Sequence, residues 1–159
     1  MSHGEIEILL VEDDPGDAEL TVRSLQQERL ASKILIARDG AEALDLIFCR
    51  GAFAARSPER PPRVILLDLK LPRVSGHDVL RAIKTDERTK TIPVVVLTSS
   101  NHERDLEECY KLGANSYIQK PVGLKQFQDT VRQFGLYWLM INHKPPEPTA
   151  AQKSNPGAK

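Results

Sequence analysis

An α/β fold built on a doubly wound parallel sheet of five strands is what this 159-residue sequence predicts. Three observations predict it. Five short apolar runs recur, at residues 6–11, 34–37, 64–67, 94–97 and 117–119. The first four are mostly β-branched or leucine with little polar alternation, the pattern of strands covered on both faces. Between successive runs lies a helical pattern with its own start signal, so each strand returns to the sheet by a crossover, which is right-handed in nearly all cases.

The elements follow in order. After the first run, Asp14-Pro15 offers an N-cap and a proline at the first helical position, with Asp17 in the first turn. After the second, Asp39-Gly40-Ala41-Glu42 has capping-box spacing. Residues 49–63, "CRGAFAARSPERPPR", exceed an ordinary connection of about 4–6 residues. Their three prolines and four arginines predict a solvated loop, with an extra helical turn near Ala52. Ser75 opens a helix whose inner face is Val79, Leu80 and Ile83. Ser100-Asn101-His102-Glu103 repeats the capping-box spacing, and Gly113 after Leu112 fits a helix stop. The last helix starts near Leu124 and carries Phe127, Val131, Phe134, Trp138 and Ile141 on one stripe, which Leu136, Tyr137, Leu139 and Met140 widen, reaching about residue 142. Residues 144–159 hold four prolines in sixteen and no apolar period, which predicts a disordered tail. The domain is therefore expected at 1–143, with its core at about 6–135. Five strands favour the flavodoxin-like order 2-1-3-4-5, in which ligands bind beyond the carboxyl ends of the strands.

Composition excludes several classes. Acids and bases balance at 22 each, so no global charge points to nucleic acid or an anionic membrane. No apolar run approaches the roughly 20 residues of a membrane span. The N-terminus lacks the basic start and cleavage site of a signal peptide, which predicts a cytoplasmic location. Cys49 and Cys109 are expected as reduced thiols inside helices. His3, His77, His102 and His143 show no metal-ligand spacing and read as surface or cap residues.

The chemistry lies at the strand ends. Glu12, Asp13 and Asp14 follow the first strand, Asp68 the third, Thr98 the fourth, and Lys120-Pro121 the fifth. In a doubly wound sheet these ends share one edge, so carboxylates, a hydroxyl and an ammonium converge. Clustered carboxylates raise one another's pKa unless a cation intervenes, and hard oxygen ligands suit Mg²⁺. A central Asp68 can attack phosphorus, giving an acyl phosphate. Such a transfer needs positioning and charge neutralisation more than proton chemistry.

The segments "ILLVEDDP", "ILLDLKLPRVSG", "VVVLTSS" and "SYIQKP", with Thr98 standing 22 residues before Lys120, resemble the receiver domain of two-component response regulators. The resemblance implies Asp68 as phosphoacceptor and Mg²⁺ held by Asp13, by Glu12 through water, by Asp68 and by the backbone carbonyl of Lys70. It also implies Lys120 and Thr98 on the phosphoryl group, Tyr117 as an aromatic switch, and a cis bond before Pro121. The output would be a shape change on the face formed by the fourth helix, fifth strand and fifth helix. The partner would be a sensor histidine kinase, with no nucleic acid, membrane or small-molecule substrate. Lys70, two residues after the acceptor, departs from an aspartyl phosphatase, which needs a second acid there. The acidic "VEDDPGD" would repel the phosphate of a flavin. The Lys70 side chain is expected either to shield the phosphate from water or simply to point into solvent. The long loop before the third strand and the "FGLYWL" ending are similar to single-domain regulators paired with phytochrome-type kinases. Too few residues follow Phe134 for an output domain, so the signal is expected to leave through a protein contact. The ending is too apolar to stay bare, and a homodimer through Phe134, Tyr137, Trp138 and Ile141 is expected, the alternative being that the stripe folds over its own domain.

Overall fold

The computed structural model describes residues 6–143, apart from 28 and 32, together with 145 and 146. Five strands, β1 (Ile8–Val11), β2 (Ile34–Ala37), β3 (Val64–Leu67), β4 (Val94–Thr98) and β5 (Ser116–Gln119), form one sheet in the order β2-β1-β3-β4-β5. Every pairing is parallel. The central strands β1, β3 and β4 are buried throughout, while β2 and β5, at the edges, are only partly covered. The expected order and class hold.

Helices α1 (Pro15–Gln27), α2 (Gly40–Ile47), α3 (Gly76–Thr85), α4 (Glu103–Leu112) and α5 (Leu124–Gly135) divide between the two faces. Strand side chains alternate between those faces with period two. Leu9, Val11, Ile65, Leu67, Val94 and Val96 pack with α2, α3 and α4; Ile8, Leu10, Val64, Leu66, Val95 and Leu97 pack with α1 and α5. Each strand therefore needs apolar residues at every position, which is why the runs read as continuous rather than alternating.

Local caps refine the expected ones. Asp14 Oδ1 accepts from the Gly16 and Asp17 amides, Asp39 Oδ1 from Glu42 and Ser75 Oγ from Asp78. Glu42 reaches back to the Arg38 amide rather than to that of Asp39. The expected Ser100 cap is displaced: α4 is preceded by His102, and the Ser100 hydroxyl accepts from the His102 amide instead. Gly113 ends α4 at φ +108°, where its amide bonds Cys109 and Tyr110 carbonyls. The long loop carries one 3₁₀ turn (Gly51–Phe53), and Arg56 pins it by donating to the carbonyls of Leu46 and Arg60. Cys49 falls just past α2 at φ +55°, outside the helix expected to hold it; both cysteines are free thiols.

The largest departure is at the C-terminus. After α5 the chain widens into a π-helical segment, Leu136–Ile141, closed by the Asn142 amide on the Tyr137 carbonyl. A π turn bonds i to i+5. The inward positions accordingly run Phe127, Val131, Phe134 and then Leu139, a spacing of five that replaces Trp138 with Leu139 in the core. Phe134, expected on a partner surface, is buried among Leu25, Leu30 and Ala31. Trp138 is only partly buried against the same cluster, while Leu136, Tyr137, Met140 and Ile141 remain exposed. The predicted tail lies outside the described residues except for Pro145 and Pro146.

A polar knot ties α3 to the far end of the sheet. Lys84 Nζ donates to the carbonyls of Lys90 and Ile92 and to Asn115 Oδ1, which also accepts the Val94 amide. Lys84→Met strands the two carbonyls. Water can replace the lysine at the exposed Lys90 carbonyl but less readily at the half-buried Ile92 one, so a loss of about 1 kcal/mol is expected and is measured by urea unfolding.

Candidate functional site

The site is assembled by sheet register. Val11 is opposite Leu67, so the next residues, Glu12 and Asp68, leave adjacent strands side by side. Thr98 is opposite Gln119, so Lys120 emerges beside Thr98, its amide bonded to the Thr98 carbonyl at 2.7 Å. Four separated segments thus meet on the carboxyl edge of the sheet.

Lys120 Nζ lies 2.8 Å from Glu12 Oε1, 2.8 Å from Asp17 Oδ2 and 3.1 Å from Asp68 Oδ2. An ammonium has three protons, and each is directed to a carboxylate. Glu12 is 3% exposed and Asp68 8%. Glu12 Oε2 also accepts the Asp14 amide, and Asp68 Oδ1 accepts its neighbour's amide, Leu69, at 2.7 Å. These bonds offset the cost of burying charge at the strand mouth.

Burial lifts the Glu12 carboxyl to about 7, reinforced by the Asp68 charge and opposed by the Lys120 hydrogen bond. Burial alone would lower Lys120, but Asp17, Glu12 and Asp68 overcome it and hold its ammonium well above the ordinary lysine range. One lysine thus faces several acids, an imbalance that invites a further cation. Oxygen atoms of Glu12, Asp13 and Asp68 lie within 4.8 Å of one another. Together they offer the all-oxygen donor set that a hard divalent ion takes. Asp13 is the exposed member of the three.

The remaining expected residues are placed as follows. Thr98 is fully buried, and its Oγ1 accepts the Ser100 amide at 3.3 Å. Tyr117 is half-buried and its hydroxyl donates to the Ser100 carbonyl at 3.2 Å. Lys70 has an exposed side chain in the loop after β3. Among the described residues there is no cis peptide bond, so the expected cis bond before Pro121 is corrected to trans. Trans is the lower-energy isomer, and Lys120 reaches all three carboxylates with it.

Sequence reasoning assigned Asp17 only to the first turn of α1. Its position one helical turn after Asp13 is the signal that could have found it: a residue there projects from the helix start back over the strand ends. Gly76 is a second such residue. A Cβ at Gly76 would collide with the Asp68 carbonyl and the Leu69 backbone, so only glycine lets α3 pack directly under the Asp68 loop.

Comparison with known proteins agrees with this geometry. Residues 8–132 match the response regulator receiver domain family. The chain is 42% identical over 138 residues to the probable methanogenesis regulatory protein FilR2 of Methanothrix harundinacea, spanning 87% of this chain and 86% of that protein. It is 39% identical over 132 residues to response regulator Rcp1 of a Synechocystis species, spanning 83% and 88% of the two. The Mn²⁺-bound crystal structure of Rcp1 superimposes with a TM-score of 0.82 at 36% identity, over 87% of this chain and 98% of that one. The phosphorylated cyanobacterial phytochrome response regulator RcpA does so with a TM-score of 0.83 at 36% identity, over 90% and 100%. With its strand order, acidic edge and converging lysine, the chain belongs to the response regulator receiver family, as a phosphoacceptor signalling protein.

Proposed function

We propose that Asp68 accepts a phosphoryl group from the phosphohistidine of a sensor histidine kinase, with Mg²⁺ as the divalent ion. The observation that carries this reading is Asp68 itself: a carboxylate at a strand end, 3.1 Å from Lys120 Nζ and with an oxygen within 4.8 Å of those of Glu12 and Asp13. An Asp68 oxygen forms the new P–O bond as the P–N bond of the donor breaks, and the imidazole nitrogen keeps the electron pair. Asp13, Asp68, the Lys70 carbonyl and, through water, Glu12 would hold Mg²⁺, which when bound would supply charge neutralisation to the phosphoryl oxygens. Lys120 exchanges a carboxylate contact for a phosphoryl oxygen. Thr98 turns its hydroxyl from the Ser100 amide to another. Tyr117 responds, and the α4–β5–α5 face changes shape as a two-state element biased by local charge. The Lys70 side chain shields the acyl phosphate from water.

The kinase is of the phytochrome type on this reading, since RcpA, a phytochrome response regulator, is similar over 90% of this chain. Exposed Leu136, Tyr137, Met140 and Ile141, beside half-buried Trp138, support a two-fold contact between copies; Phe134 and Leu139 are occupied in the core of their own domain. The test is phosphotransfer from purified histidine kinases with and without Mg²⁺. Rapid, chelator-sensitive labelling from a phytochrome-type kinase is expected; labelling that survives chelation would overturn the metal assignment.

Divalent-ion binding carries a pH signature. With Glu12 protonating near 7, a proton competes with the cation below that value. Mg²⁺ affinity is expected to fall as pH drops from 8 to 6, approaching about tenfold per unit at the lower end, the limit for one displaced proton. Calorimetric titration at the two pH values measures it.

A further inference from the structure

Ser100 is the meeting point of contacts that leave the site. Its amide donates to Thr98 Oγ1 at 3.3 Å and its carbonyl accepts the Tyr117 hydroxyl at 3.2 Å. Its hydroxyl donates to Asp105 Oδ2 at 2.6 Å and accepts the His102 amide at 3.2 Å. The residue is buried, so these bonds are shielded from competing water. Asp105 sits in the first turn of α4, and its other oxygen faces His77 Nε2 of α3 at 3.4 Å. That imidazole nitrogen is buried and has no hydrogen-bond partner otherwise among the described residues. Farther along, Arg81 of α3 approaches Glu108 of α4 at 3.7 Å, a second and more exposed bridge between the same helices.

We propose that Ser100, Asp105 and His77 form a latch that couples the Thr98 hydroxyl to helix α4, Ser100 and Asp105 transmitting its displacement and His77 holding Asp105 in register against α3. The mechanical reason is directness. A hydroxyl drawn from the Ser100 amide toward a phosphoryl oxygen releases one of the bonds that fix Ser100. The same residue grips α4 through a short, charge-assisted bond, which is stronger than a neutral one. A helix held at its first turn by one carboxylate has a defined point at which to be moved. The three are positioning residues; none touches the reacting atoms. The inference rests on Asp68 being the phosphoacceptor.

The test uses the full chain with Mg²⁺ and beryllofluoride as the phosphoryl mimic, read by amide NMR. The Leu69 amide, bonded to Asp68 Oδ1, reports binding at the acceptor, and the amides of residues 103–112 report α4. In the wild-type chain both sets shift. In Ser100→Ala, which keeps the amide and carbonyl of residue 100, Leu69 is expected to shift as before. The α4 response should fall by about threefold, within the span by which residues on coupling routes alter linkage. Ser100→Thr, which retains the hydroxyl, restores it. Asp105→Asn, which keeps an acceptor for Ser100 but loses the charge facing His77, reduces the response in the same direction and serves if the alanine variant does not fold. His77→Ala does likewise. An α4 response of wild-type size in Ser100→Ala or Asp105→Asn overturns the latch, and one in His77→Ala removes His77 from it. Failure of the acceptor assignment looks different: Leu69 would not shift in any variant.

Discussion

Asp68→Asn is expected to remain unlabelled under conditions that phosphorylate the wild-type chain to completion. Among the described residues, this carboxylate is the group that β3 carries to the strand mouth beside both Lys120 and the Glu12–Asp13 pair. An amide nitrogen has no available lone pair, and an amide oxygen is a far weaker nucleophile than a carboxylate. The variant should nevertheless fold. Asn Oδ1 can still accept the Leu69 amide, and Lys120 keeps Glu12 and Asp17 as counterions. Removing one of several crowded negative charges also relieves repulsion on Glu12, so stability near neutral pH should not fall. Intact-mass measurement after incubation with a small-molecule phosphodonor, beside a urea unfolding curve, separates the two effects. A phosphorylated Asp68→Asn chain would move the acceptor elsewhere.

Lys120→Met should be the most destabilising single change at this edge. It leaves Glu12 and Asp68, both nearly inaccessible to solvent, facing each other and Asp17 without a counter-charge. Breaking a buried ion pair by removing one partner costs about 3–5 kcal/mol, because the survivor stays buried and charged. The sign of the pH dependence follows. Glu12 already binds its proton more tightly in the folded chain than a free glutamate does, and without Lys120 that preference grows. Stability associated with this carboxyl is present below the free glutamate value and lost as pH rises through its folded value near 7. The deficit of Lys120→Met should therefore shrink on acidification from pH 7.5 to 5.5, and shrink also when Mg²⁺ is added at pH 7.5. Urea midpoints under the three conditions measure it. A deficit independent of both pH and Mg²⁺ would mean that lost packing of the lysine stem, rather than charge, is responsible. Phosphoryl acceptance should drop with the same substitution, since one of the groups neutralising the transferred oxygens is gone.

The strand ends were legible because they are local. Val64 to Leu67 followed by Asp68 reads as a buried strand stopping at an acid whatever the rest of the chain does, and parallel pairing then places Glu12 beside Asp68 and Lys120 beside Thr98. The helix starts at Asp14, Asp39 and Ser75 were legible for the same reason: a cap is an exchange between residues two or three apart. Asp17 was not, because its role as a third anchor of Lys120 spans 103 positions and depends on how α1 is rotated over the sheet. Nor was Ser100, whose side chain passes over the expected cap to bond Asp105.

The strand order that the sequence suggested was settled by the pairing of the sheet. The sequence by itself determined the fold class and the acids, alcohol and amine placed at the strand ends. Those follow from hydrophobic period and from the handedness of crossovers, which nearest neighbours along the chain decide. Tertiary structure alone decided that Lys120 divides its three protons among Glu12, Asp17 and Asp68, and that His77 faces Asp105 across two helices. It also decided that a π turn puts Leu139 in the core where the α period had put Trp138. Each of these depends on the rotation of a helix about its own axis. Packing against distant residues sets that angle, and no local pattern encodes it.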